Sequence, residues 1–389
     1  MSLSLFPVTT VGSFPRTPEV LAALRAKRRG ELSEETFDRI ADGAVLEILD
    51  LQHQCGVDIV TDGEQRRDNF YSFVSEKLDG VRLMSLAEML EYVEDKAAFE
   101  KLLQSLDVPA FSIFNPTCVG RVARRKPLAV DELRFAKQHT DKPVKIPLPG
   151  PYLLTRAMWM PEIGGKAYGS KEELGDDVVA ILRAEVDELI QGGADFIQFD
   201  EPVLTELVFT QGQTRTFMCA ALAARKDPAE ELEFAVSLLN RVTEGHRGRG
   251  TRLGLHVCRG NWSRDESTLL SGSYAPLAPY FARMNVDQLV LEYATPRAGE
   301  LIAFEGKELG LGVANPRTDE IENASDIARR VGEAVTSPGR EGIAPGSIFL
   351  NPDCGFGTFS ARPMNDMERV RKKIEAIVAA ASSLRAEFN

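Results

Sequence analysis

Four side chains that can bind a metal ion follow short apolar runs in the second half of the chain. They are His256, Cys258, Glu292 and Cys354. Each run is typical of a buried strand, and because residues two apart on a strand point to the same face, His256 and Cys258 can reach one ion together. An imidazole, two thiolates and a carboxylate make a roughly tetrahedral set that suits Zn²⁺. These residues predict a zinc site that activates a thiol substrate.

A single pair of such residues is a weak indication of a metal site. A buried cysteine is more often a small apolar core residue than a ligand, and His256 with Cys258 alone fits that interpretation. The prediction therefore rests on all four side chains, which follow strands far apart in the sequence and can meet at one point.

Eight apolar or β-branched runs alternate with helical patterns along the chain and would position these side chains. The runs predict strands at Pro7–Val11, Asp58–Thr61, Val144–Leu148, Phe196–Phe199, Leu253–Val257, Gln288–Leu291, Leu311–Val313 and Ile348–Leu350. Apolar residues at helical spacing predict helices between most of these runs. This alternation predicts an α/β fold, namely a closed parallel (β/α)8 TIM barrel. No glycine-rich phosphate motif follows the first run, which argues against a dinucleotide-binding fold.

The segment 65–141 is too long to be a bare loop between the second and third predicted strands. It carries patterns of its own, which predict a helix at Met84–Glu94, a strand at Ala110–Phe114 and a helix at Val130–Gln138. We therefore expect residues 1–389 to form a single barrel domain with 65–141 inserted as a subdomain. Two interpretations of the insertion stay open, a lid over the site and an extra hairpin that only packs.

Polar residues or tight turns follow nearly every predicted strand. In a parallel barrel, the reacting groups lie where strands end and loops begin. Besides the four candidate ligands, the residues at these ends are Gly12-Ser13, Asp62-Gly-Glu64, Gly150-Pro151, Asp200-Glu201-Pro202 and Asp353. Their joint placement predicts one site at one mouth of the barrel.

Composition and charge limit the classes of partner. The 389 residues include 46 Lys and Arg against 58 Asp and Glu, a net charge of −12, which argues against binding to nucleic acid or an anionic membrane. No apolar run approaches the roughly 18 residues of a membrane span, and the N-terminus lacks the pattern of a signal peptide. Five cysteines without regular spacing do not form a disulfide framework. We therefore expect a cytoplasmic protein whose partners are small molecules.

Several other residues keep two interpretations. Asp200-Glu201-Pro202 is either a turn with a side-chain cap or a substrate contact, and Gly12-Ser13 is equally open. The basic clusters Arg66-Arg67 and Arg121–Lys126 are either solvated surface or a site for an anionic substrate tail. The remaining cysteines and histidines lack a partner pattern, and we predict no chemical role for Cys55, Cys118, Cys219, His53, His139 or His246.

Six segments, in order along the chain, carry a family resemblance. They are Thr9-Thr-Val-Gly-Ser-Phe-Pro, Asp62-Gly-Glu64, Phe196-Ile-Gln-Phe-Asp-Glu-Pro, His256-Val-Cys258, Glu292 and Asn351-Pro-Asp-Cys-Gly. Together they resemble the catalytic C-terminal barrel of cobalamin-independent methionine synthase, over a span from Thr9 to Thr358. The wider superfamily includes uroporphyrinogen decarboxylase, methylcobamide:coenzyme M methyltransferases and epoxyalkane:coenzyme M transferase. The resemblance implies a barrel, and the zinc members of the superfamily bind a thiol substrate.

The resemblance implies that His256, Cys258, Glu292 and Cys354 are the zinc ligands. Zinc would lower the pKa of a coordinated thiol, so that the substrate binds as a thiolate and attacks a methyl group in line. Glu292 is the weakest ligand of the four and the one expected to yield when the substrate sulfur arrives. The implied enzyme is an S-methyltransferase that forms methionine from homocysteine. Its methyl donor is either 5-methyltetrahydrofolate in its polyglutamate form, a methyl-carrier protein such as a corrinoid protein, or another methylated compound.

The resemblance also implies where the amino-acid part of homocysteine binds. Ser13, with the backbone near Val11 and Gly12, matches the position that holds its carboxylate. Glu64 and Asp200 match the acidic residues that bind its amino group and are predicted catalytic residues. The chemistry agrees, because two carboxylates suit an ammonium, and free backbone N–H groups with a hydroxyl suit a carboxylate.

Three departures from the family pattern concern the methyl donor. The full-length enzymes carry a second, N-terminal barrel that helps to hold the folate tail, and we expect no room for it in 389 residues. The family has a histidine after the seventh strand that assists proton transfer, where this chain has Arg317, a poor proton donor but a good anion clamp. Trp159, the candidate aromatic platform for a pterin, stands two residues from the family position. Arg317 and Trp159 are therefore predicted to act on the donor side of the site.

Two further hypotheses compete with methionine formation. The first is a related zinc-dependent thiol alkyltransferase or lyase that acts on another thiol, such as coenzyme M. Glu64 and Asp200 argue against it, because an anionic sulfonate offers no ammonium to pair with them. The second is a non-catalytic metal-binding barrel, in which thiols would leave the metal's ligands unchanged. A decarboxylase of the uroporphyrinogen type is disfavoured, because that chemistry needs no zinc.

Overall fold

Six parallel strands form the main sheet in a computed structural model that describes residues 3–92, 114–209, 227–336, 342–360 and 362–389. Two further strands form a separate antiparallel pair. In chain order the strands are β1 Leu78–Ser85, β2 Phe114–Arg124, β3 Lys145–Pro149, β4 Phe196–Asp200, β5 Arg252–Val257, β6 Gln288–Leu291, β7 Glu308–Ala314 and β8 Ile348–Pro352. The parallel sheet runs in the order β3-β4-β5-β6-β7-β8, with β1 and β2 outside it.

Isolated parallel bridges join the two edges of this sheet. They pair Val8 with Leu350, Thr9 with Ile59, and Val60 with Val144. The N–H of Thr9 donates to the carbonyl of Leu350 at 3.0 Å, and the N–H of Ile59 donates to that of Val8 at 3.1 Å. The parallel strands therefore close into a ring, and the predicted α/β barrel is confirmed.

The first two predicted strands are much shorter than expected. Neither Pro7–Val11 nor Asp58–Thr61 forms a continuous strand, and each contributes only its bridging residues. Pro7 has no N–H to donate, and the N–H of Val8 donates to the carboxylate of Asp58 at 2.7 Å instead of to a neighbouring strand. The remaining six predicted strands all overlap strands of the parallel sheet.

Helices surround the ring and follow the apolar spacing of the sequence. In the described part of the chain they are α1 Pro18–Arg28, α2 Glu34–Cys55, α3 Leu86–Met89, α4 Val130–Gln138, α5 Pro151–Met158, α6 Pro161–Gly164, α7 Lys171–Gln191, α8 Val203–Phe209, α9 Pro228–Thr243, α10 Ala278–Arg283, α11 Ala324–Thr336 and α12 Met367–Phe388. In α7, for example, the apolar residues Val178, Leu182, Val186 and Leu189 recur at helical spacing and are all buried. Each long helix begins at a side-chain cap, such as Ser33 of α2 or Ser170 of α7, which satisfies a free N–H of the first turn.

The insertion 65–141 contains the antiparallel pair and a helix. The prediction of a helix at Val130–Gln138 is confirmed by α4. The prediction at Met84–Glu94 is wrong at its start, because Met84 belongs to β1 and pairs with Asn115 of β2. Within the described part of that range, only the four residues of α3 are α-helical. Residues 93–94 lie outside the described residues, as do residues 110–113 of the predicted strand Ala110–Phe114. The division of the chain into a barrel and an inserted subdomain stays a prediction.

None of the helices in the described ranges combines the length and the apolar character that a membrane crossing requires.

Candidate metal and substrate site

Three of the four predicted ligands converge at the end of the ring where the parallel strands finish. His256 lies in β5, Cys258 follows that strand directly, and Cys354 follows β8. Their ligand atoms all lie within 4.8 Å of one another, and each residue is only 4% exposed. One ion could therefore contact all three, with the nitrogen and sulfur donors that zinc prefers.

A hydrogen bond orients the imidazole of His256 toward the two thiols. Its Nδ1 donates to Oδ1 of Asp200 at 2.9 Å, while Nε2 has no hydrogen-bond partner among the described residues. Burial alone would lower the pKa of His256, but the hydrogen bond to Asp200 and the charges of Cys258 and Asp200 raise it to about 9. A histidine that ligates a metal usually donates its other ring N–H to a carboxylate in this way. The site therefore fits a metal ion on Nε2.

The two thiols of the cluster contact each other. A hydrogen bond from Cys354 lowers the pKa of Cys258, and the same contact, together with burial, raises the pKa of Cys354 well above its ordinary value. Because thiolates are the metal-binding form, a cation bound here would have to release protons from this pair.

Glu292, the fourth predicted ligand, follows β6 beside this cluster but contacts arginines. Its Oε1 accepts from Nη1 of Arg317 at 3.2 Å, and its Oε2 accepts from Nη2 of Arg297 at 3.3 Å. Glu292 is not part of the group whose ligand atoms lie within 4.8 Å of one another in the described residues. The structure therefore brings together three of the four predicted ligands and pairs the fourth with cations.

A pocket opens directly onto the metal-binding cluster. Its lining includes the predicted substrate residues Val11, Ser13, Glu64 and Asp200. The other lining residues, besides the three candidate ligands, are Phe70, Tyr71, Pro202, Asn261, Trp262, Gly355, Thr358 and Phe359. The metal-binding cluster and the predicted homocysteine contacts therefore share one pocket.

Glu64 presents a buried carboxylate to this pocket. Its Oε2 has no hydrogen-bond partner among the described residues, and burial raises its pKa to about 7 although Arg67 and Arg16 lower it. Its backbone is held by the carboxylate of Asp62, which accepts from the N–H of Glu64 at 2.9 Å, and by Arg16, which donates to its carbonyl at 2.8 Å. A carboxylate with an unpaired oxygen in a buried pocket suits a cationic ligand.

Gly12 and Ser13 fit closely between neighbouring side chains. A Cβ added to Gly12 would collide with Oε1 of Glu64, so only glycine leaves room for that carboxylate. A Cβ added to Gly355 would likewise collide with Oγ of Ser13. Although Gly12 is not one of the lining residues, it sets the position of Glu64.

The two predicted donor-side residues do not line the cavity. Trp159 caps the end of α5 and packs against Gly164, whereas Arg317 is 1% exposed and lies behind the pocket wall. Trp262 lines the cavity in the loop after β5 and is an aromatic that the sequence analysis did not select. Its position four residues after Cys258, in a loop that follows a ligand-bearing strand, is the signal that could have identified it.

The two basic clusters are paired with carboxylates of the protein itself. Arg67 contacts Glu132 through Nε and Nη2, the latter at 2.6 Å, and Arg66 contacts Asp42. In the second cluster, every basic residue likewise faces a carboxylate: Arg121 with Asp177, Arg124 with Glu185 and Glu188, Arg125 with Asp79, and Lys126 with Glu34. These contacts favour a structural role for the clusters over a site for an anionic substrate tail.

Comparison with known proteins places this geometry in a family. The family model described as the catalytic domain of cobalamin-independent synthase matches residues 6–383. A methionine synthase from Saccharolobus solfataricus is 28% identical over 366 residues, covering 92% of this chain and 91% of that protein. A methionine synthase from Thermococcus kodakarensis is 29% identical over 367 residues, covering 93% and 90%.

A solved structure has the same fold. The structure of a B12-independent methionine synthase from Shewanella sp. W3-18-1, in complex with selenomethionine, aligns with a TM-score of 0.71 and 24% identity over 99% of both chains. The family model covers nearly the whole chain. With the ring of parallel strands and the His/Cys/Cys cluster at its mouth, these matches establish that the chain belongs to the catalytic-domain family of cobalamin-independent methionine synthases, a family of methyltransferases.

Proposed function

We propose that the protein transfers a methyl group to the thiol of homocysteine and so forms methionine, at a zinc ion held by His256, Cys258 and Cys354. The observation that carries the proposal is one pocket containing both a set of soft ligands and the buried carboxylates Glu64 and Asp200. The first suits the sulfur of the substrate, and the second suits its ammonium. The relatives named methionine synthase support the same reaction.

The chain's own residues would hold the amino-acid part of the substrate. The hydroxyl of Ser13 and the backbone near Val11 and Gly12 would bind the carboxylate. Asp200 accepts at Oδ1 from Gln198 Nε2 at 2.8 Å and from His256, which leaves Oδ2 for the ammonium. Such fixed contacts at one end of the substrate would orient its sulfur toward the metal-binding side chains.

When bound, zinc lowers the pKa of a coordinated thiol, so that the substrate sulfur is available as a thiolate near neutral pH. Asp200 fixes the ring of His256 through Nδ1 and leaves Nε2 for the metal. The sulfur then attacks the methyl carbon in line, a new S–C bond forms, and the donor leaves with the electrons of its own bond to that carbon.

The proposed donor is 5-methyltetrahydrofolate, in its polyglutamate form, or another methyl carrier. The rings of Phe70, Tyr71, Trp262 and Phe359 line the pocket, and aromatic faces suit a flat heterocycle. Neither Lys nor Arg is among the described residues that line this cavity, so a glutamate tail would have to bind elsewhere.

The pocket argues against the competing thiols. A thiol that carries a sulfonate, such as coenzyme M, would bring a negative charge toward Glu64 and Asp200, and no lysine or arginine is among the described lining residues to pair with it. A metal site with only a structural purpose would not need a cavity that opens onto its ligands.

Titration of cobalt(II)-substituted protein with homocysteine, and separately with coenzyme M, tests the proposed function. A sulfur ligand from the substrate adds thiolate charge-transfer absorption to the cobalt spectrum. We expect a saturable increase with homocysteine and none with coenzyme M. The reverse preference would favour the alkyltransferase hypothesis, and no response to either thiol would leave a non-catalytic metal site.

A further inference from the structure

Lys145 is a buried lysine that the proposed function does not use. It begins β3, it is 0% exposed, and its Nζ lies 5.1 Å from the centre of the Phe196 ring. Within the described ranges, the one hydrogen bond of Nζ is donated to Oε1 of Gln198 at 3.2 Å. Burial lowers the pKa of Lys145 to about 7, although the charge of Asp200 raises it. Burying an ammonium costs free energy, and such groups are most frequent at functional sites.

The register of the sheet brings this lysine to Gln198. Lys145 pairs with Phe196, and Gln198 lies two residues further along β4. Because alternate residues of a strand face the same side, Phe196, Gln198 and Asp200 share one face of β4. The long side chain of Lys145 therefore lies beside the ring of Phe196 and ends at the amide of Gln198.

The partners of Gln198 fix the orientation of its amide group. An ammonium only donates hydrogen bonds, and a backbone carbonyl only accepts them. The amide oxygen must therefore face Lys145, and the amide nitrogen must face the carbonyl of Val11, to which it donates at 3.0 Å. The same nitrogen donates to Oδ1 of Asp200 at 2.8 Å. Lys145 and the carbonyl of Val11 thus aim the amide nitrogen at Asp200.

Gln198 connects the two halves of the proposed amino-acid site. Val11 precedes Gly12 and Ser13, which would bind the substrate carboxylate, whereas Asp200 would bind the ammonium. The buried amide of Gln198 contacts a backbone oxygen of the first half and a side-chain oxygen of the second. Since Oδ1 of Asp200 is engaged in this way, the direction of the remaining Oδ2 is set relative to the segment that carries Ser13.

We infer that Gln198 and Lys145 are positioning residues that fix the carboxylate contact and the ammonium contact of the substrate relative to each other, and so determine selectivity for the L enantiomer. The inference rests on the proposed function and deepens it. The two enantiomers of an amino acid differ only in how carboxylate, ammonium and side chain are arranged around one carbon. A site distinguishes them when its contacts for these groups are held in a fixed relation, and the selectivity is the difference between two binding free energies.

Binding of L-methionine and D-methionine to the zinc-loaded protein tests this inference. Methionine carries the same carboxylate and ammonium as homocysteine, and its binding requires no methyl donor. Isothermal titration calorimetry gives both dissociation constants, and their ratio measures the selectivity. The variants are Gln198→Met, Gln198→Glu and Lys145→Met. The matched control is Gln288→Met, because Gln288 is likewise a 0% exposed strand glutamine but donates to Glu308 instead of to a pocket residue.

We expect Gln198→Met to weaken the binding of L-methionine by about tenfold or more, as the loss of a buried hydrogen bond to a charged group does. The binding of D-methionine should change much less, so the selectivity falls. Lys145→Met should act in the same direction but less strongly, because the contact with the carbonyl of Val11 remains. Gln288→Met should keep the selectivity of the wild type.

Gln198→Glu separates positioning from a merely structural role. Its carboxylate keeps an oxygen on Lys145 but presents a second acceptor to Oδ1 of Asp200 and to the carbonyl of Val11, so we expect it to bind L-methionine more weakly than Gln198→Met. A merely structural role predicts the opposite order, because glutamate has nearly the shape of glutamine and leaves the lysine paired.

Unchanged selectivity in the Gln198 variants would overturn the inference, and so would an equal loss in Gln288→Met. If one Gln198 variant fails to fold, the other still decides the matter, and unchanged selectivity in Lys145→Met would overturn the role of the lysine. Failure of the wild type to bind either L-methionine or homocysteine would instead overturn the proposed function. The two failures are distinguishable because one is read in the variants and the other in the wild type.

Discussion

At the scale of single residues, Glu64 combines backbone strain with an unusual charge state. Its φ of 53° lies in the left-handed region, which costs a non-glycine residue of the order of 1–3 kcal/mol. Contacts with Asp62 and Arg16 maintain this conformation. Strain of this kind persists where the surrounding structure holds it, and here it places a buried carboxylate in the pocket.

The pKa of Glu64 makes ligand binding depend on pH. Because burial raises that pKa to about 7, the carboxyl is mostly protonated at acidic pH and cannot pair with an ammonium. We expect the affinity for L-methionine, whose thioether does not ionise, to rise by about tenfold between about pH 5.5 and about pH 7.5. Calorimetric titration at several pH values measures this affinity, and Glu64→Gln should remove most of its dependence on pH. An equal dependence of the affinity on pH in that variant would contradict the proposed role of Glu64.

The same raised pKa makes the unliganded protein less stable as the pH rises, although a rise in pH favours ligand binding. The folded state retains a proton on Glu64 that the unfolded state loses near the ordinary value of 4.5. This group's contribution to stability is therefore complete below that value and is lost as the pH rises through about 7.

Most of the polar residues that line the pocket could be selected from the sequence, whereas its aromatic residues were missed. His256, Cys258 and Cys354 were predictable, because residues at the ends of parallel strands meet at one mouth. Trp262 and Phe359 lie in loops without a periodic pattern, so only their closeness in sequence to Cys258 and Cys354 indicates a place in the lining. The contacts of Glu292 with arginines were also beyond the sequence, since the partners come from separate loops.

At the scale of elements, the pair β1–β2 is tied to α7 by one buried carboxylate. Glu185, which is 0% exposed, accepts from Nη2 of Arg124 at 2.6 Å and from the N–H groups of Leu128 and Ala129 at 2.7 and 2.6 Å. The same arginine also contacts Glu188, whose side chain is 42% exposed. Two carboxylates of one helix thus bind one arginine in very different surroundings.

This difference predicts unequal effects of two matched substitutions. Glu185→Ala should lower the free energy of unfolding by about 3–5 kcal/mol, because it leaves Arg124 and two N–H groups without their buried partner. Glu188→Ala should cost less than about 1 kcal/mol, as exposed ion pairs do. Denaturant unfolding measures the loss of stability in both variants, and hydrogen exchange of residues 114–129 shows whether the loss is local to this region. Similar losses in the two variants would contradict a structural role specific to Glu185.

Elements were predictable where burial imposes a clear period. The six strands from β3 to β8 were found because buried parallel strands form nearly continuous apolar runs. The strand β1 was missed because its exposed and buried residues do not alternate regularly, and its pairing with β2 is interrupted near Gly80. Such a strand is specified by its partner more than by its own sequence.

At the scale of the whole molecule, the candidate ligands connect distant parts of the ring. His256 and Cys258 belong to β5 and its end, while Cys354 follows β8, and β6 and β7 lie between them in the sheet. These three residues come together only when the ring is folded. A metal bound to all three would therefore stabilise the folded state and not the unfolded state.

Removal of the proposed zinc ion should lower the thermal stability of the protein. At free zinc about 100 times its dissociation constant, binding to the folded state alone adds about 2.7 kcal/mol. We expect zinc to raise the unfolding temperature of chelator-treated wild type and of the control Cys118→Ser, a buried cysteine outside the cluster. Cys354→Ala should show almost no increase in differential scanning calorimetry. A full increase in that variant would exclude Cys354 from the site.

The closed ring was predictable from the number and order of strands, but the short bridges through which its first two strands close it were not. The first two strands contribute only isolated bridges, and the hydrogen bonds of Thr9 and Ile59 join segments that share no local pattern. Closure depends on the twist and stagger of the whole sheet, which no single segment encodes.

Gly12 limits how this protein can change in evolution. Any side chain at that position would displace the carboxylate of Glu64, whereas the metal-binding residues come from β5 and from the ends of β5 and β8. A lineage that replaced Gly12 would therefore keep its barrel and its metal-binding cluster while losing the proposed contact for an amino-acid ammonium. Among related genes, we expect a residue other than glycine at this position to accompany a thiol substrate without an ammonium group.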